Sequence, residues 1–95
     1  MKIDIADFVI SLNGRDRGKS FLVIGTQGEY SLIADGRGRR AEKPKLKKNK
    51  HLLLEDKADG PAAEKLFAGE KVTNNEIRRA LAGYAAKREE RGGMQ

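Results

Sequence analysis

A chain of 95 residues with 38% hydrophobic content holds one small domain with a modest core, and it has no room for a large enclosed active site. Cysteine is absent, which excludes a disulfide framework and a thiolate metal site and suits a reducing cytoplasm. The net charge of +6 comes from one segment: Arg37 to Lys50 carries eight basic residues against Glu42, a local charge of +7, while residues 1–36 sum to −1 and residues 51–95 to zero.

The N-terminus, Met1-Lys2-Ile3-Asp4-Ile5, alternates apolar and charged residues and lacks the apolar stretch of a signal peptide or membrane span, so a soluble cytoplasmic protein is expected. Phe8-Val9-Ile10-Ser11-Leu12 reads as a strand stopped by Asn13-Gly14. The loop Asn13 to Lys19 follows, with Gly14 and Gly18 free to take positive φ and Arg15, Arg17 and Lys19 exposed at its tip. Phe21-Leu22-Val23-Ile24-Gly25 is a continuous apolar run, expected as a buried central strand. Thr26 to Glu29 turns the chain into a third strand, Tyr30 to Ala34, which is closed by the Asp35-Gly36 turn.

A three-stranded meander is marginal, so more β structure is expected. Arg39-Arg40-Ala41-Glu42 is assigned as a short edge strand ending before Pro44, and Leu52-Leu53-Leu54 as the last strand. Five short strands in about 55 residues suit a small, strongly bent SH3-like barrel, with the Lys-rich stretch as a loop near its mouth. Residues 56–72 read as a linker with one helical turn around Ala62 to Ala68. Thr73-Asn74-Asn75-Glu76 has the form of a capping box and predicts a helix from Asn74 to about Arg91, ended by Gly92-Gly93. Ile77, Ala80, Leu81, Tyr84 and Ala85 make an apolar stripe on that helix, which must dock on the barrel, a second copy or a partner. The fold class is therefore mainly β: a barrel over residues 1–55, a linker over 56–72 and a C-terminal helix over 73–91.

Concentrated basic charge points to a polyanion, with nucleic acid the leading candidate. Two separate basic loops on one scaffold, Arg15 to Lys19 and Arg37 to Lys50, favour phosphate contacts over a merely solvated surface. The candidate RNA-binding residues are Arg15, Arg17, Lys19, Arg37, Arg39, Arg40, Lys43, Lys45, Lys47, Lys48 and Lys50. Without tryptophan, and with most aromatics at core-like positions, shape and backbone recognition is favoured over base stacking. Asp16 and Asp35 read as turn residues whose carboxylates accept backbone amides. One histidine, no cysteine and no paired carboxylates leave no catalytic residue to assign, and no metal ligand set or cofactor motif is present.

Val9-Ile10-Ser11, Gly14 to Lys19 and Phe21 to Ile24 together resemble the KOW motif, two strands joined by a basic, glycine-bearing loop, with Gly18 at the hallmark position. The continuation through Asp35-Gly36, Arg39-Arg40, Glu42-Lys43-Pro44-Lys45 and Lys50-His51-Leu52 is similar to small bacterial KOW-domain RNA-binding proteins, and through them to the archaeal and eukaryotic large-subunit ribosomal protein of the fourteen-e type. Asp7 and Gly38 depart from that pattern, which has a glycine and an apolar residue there. The resemblance implies ribosomal RNA of the large subunit as partner, neighbouring ribosomal proteins as further contacts, and a phosphate or sugar contact for His51. The alternative is a protein-interaction module that binds a translation or transcription partner through Ile77, Leu81 and Tyr84.

Overall fold

Runs of β-branched and aromatic residues broken by glycine turns produce the first three of five strands, a Lys-rich and a Leu-rich stretch produce the other two, and two alanine-containing stretches produce two helices. The computed structural model describes residues 2–93. The strands are β1 (Asp7–Ser11), β2 (Ser20–Gln27), β3 (Tyr30–Ala34), β4 (Lys45–Lys48) and β5 (Leu52–Lys57). They form one antiparallel sheet in the order β4-β3-β2-β1-β5. A single 3-10 turn, Asn49–His51, joins β4 to β5, and the helices α1 (Pro61–Phe67) and α2 (Asn74–Gly93) follow. Among the described residues no helix is long and apolar enough to cross a membrane.

The first three strands fall where the sequence places them. The fourth does not: Arg39 to Glu42 lie in the β3–β4 connection, and the edge strand is the Lys-rich stretch that reads as a loop. Asp35 explains the first half of this correction. Its carboxylate accepts from the Arg37 and Arg39 amides at 2.9 Å each, and the Asp35 and Gly36 amides donate to the Arg39 carbonyl at 2.8 and 3.1 Å. With the Arg39 amide and carbonyl engaged in this turn and the Ala41 amide donating to Asn74 Oδ1, the segment does not pair with β3. The chain is released only after Pro44, where Lys45-Leu46-Lys47-Lys48 pairs with β3 and sets Leu46 opposite Leu32. Lysines suit an edge strand, since their charge discourages pairing with another chain.

β4 and β5 occupy opposite edges of the sheet, although only Asn49–His51 separates them. In a flat sheet four strand spacings would put the edges roughly 19 Å apart. The four Cα steps from Lys48 to Leu52 reach at most about 14 Å. The sheet is therefore strongly curled. Register shifts between Phe8 and Val9 in β1 and between Val23 and Gly25 in β2 supply local bends.

Side-chain alternation divides the core into two clusters. Val9, Phe21, Val23, Ile33 and Leu52 pack inside the curl together with Ile3. Phe8, Leu22 and Ala34 point to the opposite face, where Ala62, Ala63 and Leu66 of α1 and Ile77 and Tyr84 of α2 cover them. β2 is buried on both faces, which is why Phe21-Leu22-Val23 is an unbroken apolar run. Residues 56–72, expected as a linker with one helical turn, contain the end of β5 and the whole of α1, docked by three buried side chains.

The capping box forms as its spacing predicts: the Glu76 amide donates to Thr73 Oγ1 at 3.1 Å and the Thr73 amide to Glu76 Oε1 at 2.8 Å. The bond from the Thr73 amide, followed by the Lys65 ammonium 2.9 Å away, holds the Glu76 carboxyl below its ordinary range. Of the three ways to hide the apolar stripe of α2, the chain uses its own sheet. Ile77 is fully buried, and the Tyr84 ring stacks on Phe8 with centroids 4.7 Å apart and planes 14° from parallel. α2 runs to Gly93, two residues past the expected end at Arg91, so Gly92-Gly93 are its last described residues.

Candidate nucleic-acid interface

The Asn13 to Lys19 loop closes on itself through backbone bonds: Arg17 N–H to Gly14 O at 3.2 Å, Gly18 N–H to Ser11 O at 2.8 Å and Lys19 N–H to Asp16 O at 2.9 Å. Gly18, with φ of +84° and open space where a Cβ would be, lets the chain return to β2 without strain. Arg15, Arg17 and Lys19 project into solvent, and Asp16 turns inward.

Long-range contacts bring three further segments to this loop. The Arg39 guanidinium donates to Asp16 Oδ2 from Nε at 3.1 Å and from Nη2 at 2.8 Å, joining the β3–β4 connection to the loop. Lys47 Nζ donates to the Asn13 carbonyl at 3.0 Å, which joins β4 to it. The Leu12 amide donates to the His51 carbonyl at 2.9 Å, which joins the Asn49–His51 turn. That turn is held from its other end by the Asn49 amide on the Glu29 carbonyl at 2.8 Å and by Ser31 Oγ on Asn49 Oδ1 at 2.6 Å.

The twelve candidate residues consequently divide into three groups. Among the described residues Arg15, Arg17, Lys19, Arg37, Lys43, Lys45 and Lys50 have no carboxylate partner. Arg39 and Arg40 do: Arg39 is held by Asp16, and Arg40 Nε lies 2.9 Å from Glu42 Oε2. Lys47, Lys48 and His51 are half-buried rather than loop surface. Lys47 serves the Asn13 carbonyl, Lys48 Nζ sits 5.9 Å from the Tyr30 ring centre, and His51 ends the 3-10 turn with its carbonyl occupied. Asp35 does accept backbone amides as a turn residue. Asp16 binds a guanidinium instead, a role its loop position does not suggest.

α2 contributes in a way the sequence hides. Asn74 Oδ1 accepts from the Ala41 amide at 2.7 Å, and Asn74 Nδ2 donates to Glu42. Bonds from Arg40 and then Asn74 keep the Glu42 carboxyl below its ordinary range. Arg78 Nη1 donates to the Gly36 carbonyl at 2.6 Å. Gly36, at φ of +77°, is packed so closely that a Cβ would meet Asn74 O at 2.5 Å. The first turn of α2 therefore seats the basic β3–β4 connection. Asp16, Asn74, Arg78 and the seating role of Gly36 carry no sequence signal beyond turn and helix propensity, because their partners lie 23 to 42 positions away.

The partner-binding assignment of Ile77, Leu81 and Tyr84 is corrected by the packing. Ile77 and Tyr84 are buried in the chain's own core and Leu81 packs against it. Burial pushes the Tyr84 hydroxyl up to about 12, reinforced by its 2.8 Å hydrogen bond to Glu55.

The resulting surface offers cationic side chains without carboxylate partners among the described residues, on segments tied to one another by the Arg39–Asp16 and Lys47–Asn13 bonds. It fits a ligand with several anionic oxygens spaced along a backbone. No protein-family model matches the chain, and no curated protein matches it.

Proposed function

We propose that this chain is a non-enzymatic RNA-binding protein that grips the phosphates of structured RNA. The observation that carries the reading is the convergence of three basic segments, bound together by the Arg39–Asp16 and Lys47–Asn13 contacts while seven neighbouring cations have no carboxylate partner among the described residues. Solvated lysines on an edge strand would need no such ties. The resemblance to KOW-domain proteins supplies the rest of the proposal: large-subunit ribosomal RNA as the ligand, ribosomal proteins as neighbours, a cytoplasmic setting and an SH3-like barrel as the scaffold. The curl forced by the short Asn49–His51 connection supports the barrel.

The test uses the cations that hold nothing in place. Replacing Arg15, Arg17, Lys19, Lys45 and Lys50 by glutamate is expected to abolish binding to ribosomal RNA and leave the circular dichroism spectrum and melting cooperativity intact. In the unmodified protein five to seven phosphate contacts would give a slope of roughly −4 to −6 for log affinity against log salt. A salt-independent affinity, or a folded variant that still binds, would overturn the proposal. On a sucrose gradient the protein should travel with large subunits at moderate salt and leave them at high salt.

A further inference from the structure

Tyr30 is an aromatic that the core does not use. Phe8, Phe21 and Tyr84 are buried at 6%, 0% and 6% exposure, whereas Tyr30 retains 40%; Phe67, the last residue of α1, is more exposed still at 68%, so what distinguishes Tyr30 is its place beside Lys48 rather than exposure alone. It begins β3 directly opposite Lys48 on β4, and the Lys48 ammonium stands 5.9 Å from its ring centre. The backbone around it is fixed: the adjacent Glu29 carbonyl and the Ser31 hydroxyl both bind Asn49, so the ring is mounted against the turn that carries Lys50 and His51. That same turn reaches the basic loop through Leu12 and His51.

We infer that Tyr30 is a stacking seat for one unpaired base of the bound RNA, with Lys48 and Lys50 taking the phosphates that flank it. The inference rests on the RNA-binding reading and adds to it a preference for RNA with a nucleotide bulged from a paired stem. A ring with an exposed face in a basic surface gains from any base, since every base presents a π-face and the neighbouring cation adds attraction. A phosphate-only surface has no use for an aromatic there, and a core residue would be covered. Shape and backbone recognition, favoured from the sequence over base stacking, is supplemented by stacking at this one position.

The experiment compares two RNA hairpins, one fully paired and one with a single bulged 2-aminopurine, on the full chain. The unmodified protein should bind the bulged hairpin more tightly and change the 2-aminopurine emission. Tyr30→Ala should weaken binding to the bulged hairpin by roughly 5- to 100-fold, down to the level of the paired one, and should leave the paired affinity within about twofold. Tyr30→Phe keeps the ring and should preserve both the preference and the emission change. Salt-sensitive binding of both hairpins without preference, or a preference that survives Tyr30→Ala, would overturn the stacking seat and leave phosphate binding standing. Failure of the unmodified protein to bind either hairpin would overturn both readings.

Discussion

Tyr84 makes three contacts of different kinds, the first two of which join the helix to the sheet. Its ring stacks on Phe8, its hydroxyl donates to Glu55, and the Arg88 guanidinium lies 5.6 Å from its ring centre. The hydroxyl titrates near 10.0 when unperturbed and near 12 in the folded chain, because burial and then the Glu55 carboxylate oppose the phenolate. With the folded value raised, the associated stability is whole below about pH 10. It declines as pH climbs toward about 12, where the unfolded chain has lost a proton that the folded chain keeps. Urea midpoints measured between pH 9 and about 11.5 should therefore fall less steeply for Tyr84→Phe than for the unmodified protein. Lys65, raised by its bond to Glu76, titrates in both proteins and cancels in the comparison. Equal slopes would mean that the phenol is not protected. Asp7 shows a different use of a buried group: it opens β1 at 1% exposure, accepting from the Asp4 amide at 2.7 Å and from Lys57 Nζ at 3.1 Å. The position that departs from the KOW pattern is thus satisfied at the start of its strand.

Between elements, the seat of the β3–β4 connection on α2 depends on how closely two backbones approach. At Gly36 a methyl group would have to occupy a left-handed conformation and would sit 2.5 Å from the Asn74 carbonyl and 2.9 Å from Arg78 Cγ. Backbone cannot give way as a flexible side chain can. Gly36→Ala is expected to cost about 2 kcal/mol or more in chemical denaturation, with the loss concentrated where the connection meets the first turn of α2. Hydrogen exchange should show faster amide exchange at Arg39 and Ala41, whose protection comes from Asp35 and Asn74. A variant as stable as the parent would show that the connection is not seated on the helix. The same element contrast appears in β4, where alternation in Lys45-Leu46-Lys47-Lys48 is compatible with a strand but is masked by charge. The competing apolar content of Arg39 to Glu42 is no greater, and the decision fell to contacts outside the ladder: Asp35 takes the Arg39 amide and Asn74 the Ala41 amide.

At the scale of the whole molecule the basic surface is organised by an acid. Asp16→Asn raises the net charge by one, and a surface that worked by charge alone would then bind RNA more tightly. If the cross-tie matters, the substitution should instead weaken RNA binding several-fold, cost about 1–2 kcal/mol of stability and expose the Asn13 to Lys19 loop to proteolysis. An affinity that rises while the loop stays protected would show that Asp16 does not position the site. Asp16→Glu, which keeps the charge on a longer arm, should recover part of the loss.

What the sequence by itself determined are the features with local causes. Gly14, Gly18 and Asp35-Gly36 mark reversals because they need positive φ or a short acceptor, apolar runs mark β1 to β3, and the Thr73 and Glu76 pair marks the start of α2. Composition also located the positive charge. The tertiary structure decided the rest: which basic side chains are spent on Asp16 and Glu42, that α1 belongs to the core, that the stripe of α2 is covered by Phe8 and its neighbours, and that Tyr30 stays outside. Each of these turns on contacts between residues far apart in the chain, and local propensity holds no information about which distant acceptor, ring or backbone a side chain will meet.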